Sequence, residues 1–366
     1  MNEPGLIEIS KCEVCGTAAL RPVLDLGAHP MCDDLVPIGD GRVCREYPIE
    51  ILFCDRCRTA HQRFQVPKQD LFPSTYHYRS RQTLDVLNGM RRLVDACIEK
   101  YGDLRGKKVL DVGCNDGSLL SIFAERGAKT FGIEPTGAAA DASASGHAVV
   151  LSRQQTRIVI ENHYLGAIIA RRQFDTFYHE HPRTYSATSF SFIAAALGMV
   201  VTDVEFPDRY GGNIRVFLSH SAATVATPSP LLERERAFGD DLACMPEAIA
   251  RWREKKTSEI RSAVAQHGPL AAKAFPGRAA IPIKMLGLDR ASIDAIYEKP
   301  GSGKIGHVVP GTRIPILSDN DFPATKDDKP LVNMAWHIAD EIETYLRGRG
   351  FAGDIIHIIS LGDFAA

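Results

Sequence analysis

The 366-residue chain has no apolar run near the roughly 20 residues that a membrane-spanning helix needs. Its first ten residues, MNEPGLIEIS, lack the basic and then apolar pattern of a secretory signal peptide. A formal net charge of −2 gives no excess of either sign to attract nucleic acid or a membrane surface. These absences predict a cytoplasmic protein that has neither a membrane nor nucleic acid as its partner.

The chain does contain nine cysteines, and without an export signal we expect them in a reducing compartment. Cys12 and Cys15 form one C-x-x-C pair in CEVCG, and Cys54 and Cys57 form a second in CDRCR. Two such pairs supply four thiolates, which suit a tetrahedral zinc ion. Because four cysteines leave no open coordination position, we predict a zinc that stabilises the fold and takes no part in catalysis.

Three regions differ in character, and 366 residues exceed what one hydrophobic core normally serves. Residues 1–75 are rich in cysteine, proline and turn residues. Residues 76–232 alternate helical and strand patterns, which is typical of a parallel, doubly wound sheet. Residues 233–366 begin with a long helical pattern and then resume the alternation. We therefore predict an α/β protein with a zinc domain, a central Rossmann-like domain and a C-terminal Rossmann-like domain.

A glycine-rich turn, DVGCNDGSLL (111–120), follows an apolar strand pattern and precedes a helical one. Glu134 ends the next strand pattern, where an acid accepts the two hydroxyls of a ribose in Rossmann-like sheets. The D-x-G-x-N-D-G form differs from the dinucleotide motif and favours S-adenosylmethionine over NAD. The predicted cofactor residues are Asp111, Gly113, Asn115, Asp116, Gly117 and Glu134.

The stretch FDTFYHEHP (174–182) places two histidines, a glutamate, a tyrosine and an aspartate within nine residues. A solvated charge run is one interpretation, but the interleaved aromatic residues suit a lined cleft better. A metal site would need further ligands at a clear spacing, and none is evident. Proton transfer by His, Glu or Tyr fits best, because neighbours can tune each of these groups toward neutral pH.

Several motifs together resemble the sugar C-methyltransferase family that acts on nucleotide-linked 4-keto-deoxysugars. The motifs occur in the family's order, as CEVCG…CDRCR, FPSTYHYRS (72–80), DVGCNDGSLL, GIEPTGAAA, IENHYLGAI, FDTFYHEHPRTYS, YGGNIRVF (210–217) and KIGHVVPGTRIPI (304–316). The resemblance runs nearly from end to end. It implies removal of the C3 proton beside the C4 ketone, followed by attack of the enolate on the methyl group of S-adenosylmethionine.

The same resemblance implies roles for individual residues. Tyr178, His179, Glu180 and His181 match the family's proton-transfer motif, with His181 as base, Glu180 as its orienting partner and Tyr178 as donor to the enolate oxygen. Tyr76 or Tyr78 matches a position that lines the sugar pocket. The implied partner is a dTDP- or GDP-linked 4-keto-6-deoxyhexose, and the implied assembly is a monomer or small homo-oligomer.

One segment departs from the family. Only six residues, Ser152 to Arg157, separate HAVVL from IVIENHYL, where family members carry a cofactor-side loop, a further strand and a histidine. Six extended residues span at most about 20 Å, whereas parallel strands need a crossover of a dozen or more residues. Either the central sheet lacks a strand, or IVIENHYL does not occupy its family position. AFPGRAAIP (274–282) also replaces a lysine-containing glycine loop.

Three functions therefore stay open at this point. The first is a C-methyltransferase with compensating residues. The second is an epimerase or isomerase that enolises the sugar without methylating it, since reprotonation of C3 on the other face needs no methyl donor. The third is a non-catalytic nucleotide-sugar-binding protein. The shortened segment predicts that S-adenosylmethionine binds weakly, if at all.

Overall fold

A computed structural model describes most of the chain, namely residues 5–72, 79–82, 84–134, 136, 138–145, 157–220, 229–322 and 329–364. Tyr76 and Tyr78 lie outside these residues, as does the HAVVL segment. The chain divides into two units: unit 1 is Met1–Val66 with Thr156–Ala366, and unit 2 is Pro67–Gln155. In the part of the chain that the model describes, no helix has the length and apolar character needed to cross a bilayer.

Unit 1 begins with the cysteine-rich region, which folds as short antiparallel strands. These are β1 (Ile7–Glu8), β2 (Leu20–Pro30), β3 (Val36–Pro37), β4 (Glu46–Cys54), β5 (Thr59–Gln62) and β6 (Phe64–Gln65). In β4 the residues Ile49, Ile51 and Phe53 alternate along the strand and are buried, as expected for a sheet with one face on a core. That core also includes residues from beyond position 160, so the predicted 1–75 region does not have a separate core.

The described residues of unit 2 form four α-helices and two strands. They are α1 (Lys68–Leu71), α2 (Leu84–Tyr101), β7 (Lys108–Val112), α3 (Ser118–Glu125), β8 (Lys129–Ile133) and α4 (Ala139–Ala144). Strands β7 and β8 pair in parallel. Within the described residues they form a two-stranded sheet, so the predicted doubly wound sheet across 76–232 is not confirmed. Apolar side chains of β7 remain exposed, with Val112 at 73%.

The segment after unit 2 returns to unit 1. Its elements are β9 (Ile158–His163), α5 (Leu165–Arg171), β10 (Arg183–Thr184), α6 (Ala187–Ala196), β11 (Val200–Glu205) and β12 (Asn213–Ser219). Strand β9 pairs antiparallel with β12, which pairs with β11. IVIENHYL therefore does not occupy the position of a parallel central strand, which is one of the two alternatives that the short connection before it left open. Strand β10 extends the sheet of β2, β4 and β5.

Three helices precede the C-terminal sheet, where the sequence indicated one long helix. They are α7 (Ser229–Glu235), α8 (Phe238–Ala243) and α9 (Met245–His267). Trp252 of α9 is fully buried, and its indole N–H donates to the Ile358 carbonyl oxygen at 2.9 Å. This contact fixes α9 on the C-terminal sheet.

The C-terminal region forms a five-stranded parallel sheet in the order β16-β14-β13-β17-β18. Its elements are β13 (Leu270–Lys273), α10 (Ala280–Met285), β14 (Ile293–Glu298), β15 (His307–Val308), β16 (Ile316–Ser318), β17 (Leu331–Asn333), α11 (Ala339–Gly348) and β18 (Ile355–His357). This strand order is that of doubly wound sheets, whose ligands bind beyond the carboxyl ends of the strands. Segments 274–282 and 334–338 follow two such ends.

Candidate functional site

The four predicted metal-binding cysteines lie together in unit 1. The Sγ atoms of Cys12 and Cys57 are 3.4 Å apart, and those of Cys15 and Cys54 are 3.6 Å apart. All four sulfur atoms lie within 4.8 Å of one another. Thiolates about 2.3 Å from a tetrahedral zinc lie about 3.8 Å from each other. The geometry confirms the prediction that the two C-x-x-C pairs form one four-sulfur cluster.

The surroundings of these cysteines also fit a structural metal. Burial raises the pKa of Cys54 to about 11 and raises that of Cys57 further, so these thiols hold their protons at neutral pH unless a cation displaces them. The Thr59 hydroxyl lies 3.1 Å from Cys57 Sγ and donates to the Ser189 hydroxyl at 2.8 Å. Ser189 belongs to α6, so the cluster is tied to an element far away in sequence.

In unit 2, the predicted cofactor residues lie at the carboxyl ends of β7 and β8. Glu134 Oε2 accepts from the backbone N–H of Asn115 at 2.9 Å, and its Oε1 accepts from that of Thr136 at 2.8 Å. Gly113 has φ +82°, and the space that a Cβ atom would enter there is empty within 4 Å. A carboxylate beside an open glycine turn fits a nucleoside with free ribose hydroxyls.

The acidic residues around this turn differ in function. Asp111 is held beside Glu134, and burial together with that neighbouring charge raises the pKa of Asp111 to about 6. Asp116 instead anchors protein: its Oδ2 accepts from the Arg81 N–H at 2.9 Å and its Oδ1 accepts from the Ser118 hydroxyl at 2.6 Å. Gly117, at φ +77°, begins α3 in the left-handed region that glycine favours. Asp111 and the lone pairs of Glu134 that its two backbone hydrogen bonds do not use are therefore the acceptors open to a ligand.

The predicted proton-transfer stretch folds back on itself in unit 1. Its first residues form a single 3-10 turn, Phe174–Thr176. His181 Nδ1 lies 3.0 Å from the Thr176 carbonyl oxygen, which can only accept a hydrogen bond. The proton of neutral His181 is therefore on Nδ1, and its Nε2 carries a lone pair. This is the arrangement that a general base requires.

Tyr178 lies against the His181 ring, with ring centroids 4.0 Å apart. Burial, and after it the charge of Glu180, raises the pKa of Tyr178 well above 10, so its hydroxyl stays protonated. Burial lowers the pKa of His181 to about 4, and the nearby Arg278 guanidinium acts in the same direction. At neutral pH the site thus holds a neutral imidazole acceptor beside a phenol donor.

The remaining two residues of YHEH lie differently. His179 is buried, and its Nε2 lies 3.1 Å from the Tyr47 carbonyl oxygen, so its ring is bound to strand β4. Glu180 was expected to orient His181, but the Thr176 carbonyl takes His181 Nδ1 instead. Glu180 is half-buried, and its charge raises the pKa of both Tyr178 and the buried thiol of Cys32. The structure therefore places Glu180 beside Tyr178 and Cys32.

A buried ion pair supports the turn that holds His181. Arg278 Nε lies 3.1 Å from Asp175 Oδ2, and Arg278 Nη1 donates to the Thr176 hydroxyl at 3.2 Å. The Trp336 indole N–H donates to the same Asp175 oxygen at 2.9 Å, and the guanidinium lies over the Trp336 ring. Arg278 and Trp336 follow strands of the C-terminal sheet, so that sheet fixes the position of the proton-transfer stretch.

A further histidine, His163, lies beside the His181 ring. His163, the last residue of β9, has its ring centroid 4.8 Å from that of His181 and 5.8 Å from that of Tyr210. Sequence reasoning missed His163, although it lies in the quoted IENHYLGAI motif. It also missed the supporting roles of Arg278 and Trp336, since neither stands near FDTFYHEHP in sequence.

Two family models match the chain. The model described as "Putative zinc binding domain" matches residues 12–72, and the model described as "C-methyltransferase C-terminal domain" matches residues 208–357. Together these ranges make up more than half of the chain. The first includes all four clustered cysteines, and the second includes Arg278 and Trp336.

Among curated proteins, the chain is similar to C-methyltransferase NovU from Streptomyces niveus. The two are 25% identical over an alignment 386 residues long, gaps included, which covers 91% of each protein. Among solved structures, magnesium protoporphyrin IX methyltransferase (ChlM) from Synechocystis PCC 6803 with bound SAH matches with a TM-score of 0.30 and 13% identity. That match covers 38% of this chain and 84% of the other. A likeness at this level supports no argument about the site.

Proposed function

The chain belongs to the sugar C-methyltransferase family, and on that premise we propose that it deprotonates C3 of a nucleotide-linked 4-keto-deoxysugar and methylates that carbon. Members of this family bind zinc and use S-adenosylmethionine. The proposed partner is a dTDP- or GDP-linked 4-keto-6-deoxyhexose. The substrate class rests on family membership, and the assignment of roles rests on the geometry around His181.

One observation supports the reaction most directly: the Thr176 carbonyl holds His181 Nδ1–H, which leaves Nε2 as an acceptor on a ring that lies against the Tyr178 ring. Removal of a proton next to a ketone needs a positioned base and a donor to the oxygen on which negative charge develops. His181 supplies the base, and Tyr178 supplies the donor. Both groups are in the required protonation state at neutral pH.

In the proposed deprotonation, the C3–H bond breaks, and its proton passes to His181 Nε2. The electron pair of that bond forms a C3–C4 double bond, while the carbonyl π pair moves to the C4 oxygen and accepts a hydrogen bond from Tyr178. S-adenosylmethionine, when bound, supplies an electrophilic methyl group. The cofactor residues that we propose are Asp111, Gly113, Asn115 and Glu134 of unit 2.

A second candidate function is an epimerase or isomerase that enolises without methylating. The observation that favours it is the asymmetry between the two units. The proton-transfer group of unit 1 is held by several buried contacts, whereas the described residues of unit 2 form a two-stranded sheet only. Inversion at C3 requires deprotonation by His181 and return of a proton to the opposite face of the enolate, and neither step needs a methyl donor.

Deuterium exchange separates these functions. The protein is incubated in D2O with a nucleotide-linked 4-keto-6-deoxyhexose, with and without S-adenosylmethionine, and the sugar is analysed by NMR and mass spectrometry. We expect deuterium at C3 without the cofactor and a C-methylated sugar with it. Exchange or inversion at C3 without any methylated product would select the epimerase. No exchange with any 4-keto sugar would leave a non-catalytic binding protein.

The His181→Ala variant tests the assignment of the base. Loss of a general base typically costs about 10²-fold or more in rate, so we expect exchange to slow by at least that factor. His267→Ala serves as the control, because His267 lies at the end of α9 and takes no part in the site. Equal exchange rates in the wild type and His181→Ala would show that another group is the base.

A further inference from the structure

Four histidines of unit 1, namely His29, His163, His179 and His181, differ in one respect. His29, His179 and His181 each have one ring nitrogen within 3.1 Å of a backbone carbonyl oxygen, so each places its proton in a hydrogen bond. His163 Nδ1 is buried without a partner, and no hydrogen bond to the other ring nitrogen is present among the described residues. A buried N–H left unpaired is unfavourable, because it has lost its hydrogen bond to water. The neutral ring of His163 therefore has an N–H that no protein group accepts among the described residues.

The position of His163 restricts what that ligand group could be. Its ring lies beside His181 at 4.8 Å, and the Tyr178 ring lies beside His181 at 4.0 Å. A ketone oxygen on C4 lies only about 2.4 Å from C3, as bond lengths of about 1.5 and 1.2 Å dictate. A base acting at C3 and a donor acting at that oxygen must therefore be neighbours. His163 meets this requirement.

The charges around His163 keep its ring neutral. Arg278 and Arg209 are its cationic neighbours from the C-terminal sheet and from the loop before β12, and His181 and His337 are its titratable neighbours. Burial and these groups lower the pKa of His163 well below 6.5. A neutral imidazole still carries one N–H, and a neutral imidazole can polarise a carbonyl without giving up its proton, as in triosephosphate isomerase.

We propose that His163 is a catalytic residue that donates a hydrogen bond to the C4 oxygen of the sugar while His181 removes the C3 proton. This inference rests on the proposed function, since it assigns a role within the same enolisation. With Tyr178, His163 makes a two-donor oxyanion site. As the carbonyl π pair moves to the C4 oxygen, the His163 N–H bond stays intact and its hydrogen bond strengthens. When C3 takes its methyl group or proton, that pair forms the carbonyl again.

Two variants of His163 test the proposal by opposite changes. His163→Phe keeps the ring contacts with His181 and Tyr210 and removes the N–H. His163→Gln keeps an N–H donor and removes the ring. If the N–H acts in catalysis, C3 exchange should fall about 10²-fold or more in the Phe variant, the usual effect of losing one oxyanion donor, and within about tenfold in the Gln variant. The loss should appear in kcat, with KM nearly unchanged, because the bond strengthens only as charge develops.

A purely structural role predicts the reverse order, with Phe tolerated and Gln impaired, and that result would overturn the proposal. The control is His29→Gln, because His29 is buried in β2, also has an unpartnered Nδ1, and binds the Leu26 carbonyl oxygen through its Nε2. Melting temperatures are measured for all variants. If His163→Phe does not fold, a folded His163→Gln with exchange reduced about 10²-fold or more would still overturn the proposal.

The failure of this inference is distinguishable from failure of the proposed function. Wild-type exchange at C3 together with an unaffected, folded His163→Phe variant would remove His163 from catalysis and leave His181 as base. Absence of exchange in the wild type with every 4-keto sugar would remove both the proposed function and the role of His163.

Discussion

At the scale of single residues, the structure connects the reactivity of His181 to its burial. The neutral ring is held by Thr176, covered by Tyr178 and flanked by His163 and Arg278. None of these neighbours carries a negative charge that would favour the imidazolium. The base should therefore stay unprotonated well below the ordinary histidine range.

A pH profile of C3 exchange tests this. Because the pKa of His181 is lowered to about 4, we expect kcat/KM for exchange to be constant from neutral pH down to about pH 5 and to fall below that. The sign follows from the active form being the neutral one. As a control for unfolding, exchange is measured in a single turnover at each pH, and the same protein is then returned to pH 7 and its activity measured again. A fall in kcat/KM that begins near pH 6.5 would show that the His181 ring of the substrate-free protein is more accessible to water than the structure indicates.

Arg278 provides a second prediction at this scale. Its fork binds both Asp175 and Thr176, and the ammonium group of lysine cannot do this. Arg278→Lys should reduce the stability by about 3 kcal/mol or more, since it disrupts a buried ion pair, and it should slow exchange by displacing Thr176. Urea unfolding measures the first effect. Arg105→Lys is the control, because the Arg105 side chain is 82% exposed and its ion pair should contribute little.

The sequence could predict those site residues that stand close together in the chain. Tyr178 and His181 stand three residues apart, so one turn brings them together. His163 reaches the same place only because β9 pairs antiparallel with β12, and that pairing was not readable from a segment that resembled a parallel strand. Arg278 arrives from a different sheet. Contacts made through long-range pairing have no signature in local spacing.

At the scale of elements, the four-cysteine cluster joins the turns around Cys12–Cys15 and Cys54–Cys57, and its sulfur geometry matches one zinc ion. We expect one zinc per chain by elemental analysis. Cys54→Ser should reduce the zinc content and the stability, because the remaining thiols are buried without their cation. Cys244→Ser is the control, since Cys244 is exposed. Much less than one zinc per chain in the wild type would contradict the assignment.

Unit 2 gives the second prediction at this scale. Its glycine turn and Glu134 are in place, but the described residues hold only β7 and β8 as strands. Loss of one side of an adenine-binding surface should cost about 1–3 kcal/mol, or about tenfold to a hundredfold in affinity. Calorimetry with S-adenosylhomocysteine should therefore show weak binding, which Glu134→Gln weakens further. Tight binding would show that another segment replaces the missing surface and would favour methyl transfer.

Element types were more predictable than their partners. Strands β7 and β8 lie where the sequence predicted strands, before DVGCNDGSLL and before Glu134, and α3 follows the glycine turn as predicted. The length of a connection limits which strands can pair, and the six-residue connection before β9 correctly indicated a departure. It could not identify the antiparallel partner, because that partner lies some fifty residues further along the chain.

For the whole molecule, buried histidines predict how stability depends on pH. Burial lowers the pKa of His61, His179 and His181 to about 4, from an unfolded value near 6.5. The unfolded chain thus binds more protons than the folded chain between these values, so the stability is complete above about pH 6.5 and declines as the pH falls toward 4. Asp175, whose pKa burial raises, acts in the opposite direction and offsets part of this loss.

Urea unfolding of the zinc-saturated protein between pH 7.5 and 4.5 measures this decline. Each such histidine contributes on the order of a few kcal/mol across the full range. In His179→Gln, the free energy of unfolding should depend less steeply on pH, because one fewer proton is taken up on unfolding. The free energy of unfolding at pH 7.5 reports the lost contact with Tyr47. A stability that is independent of pH below 6.5 would contradict the burial of these rings.

The pairing of β5 with β10 has a consequence for how the chain is made. The Thr59–Ser189 hydrogen bond joins residues 130 positions apart, and Arg313 binds the Asp40 carbonyl across 273 positions. The first strands therefore emerge from the ribosome long before the residues with which they pair have been synthesised. Non-local contacts of this kind slow folding and leave strand edges open to other chains. Early zinc capture would hold the two cysteine turns together during that interval.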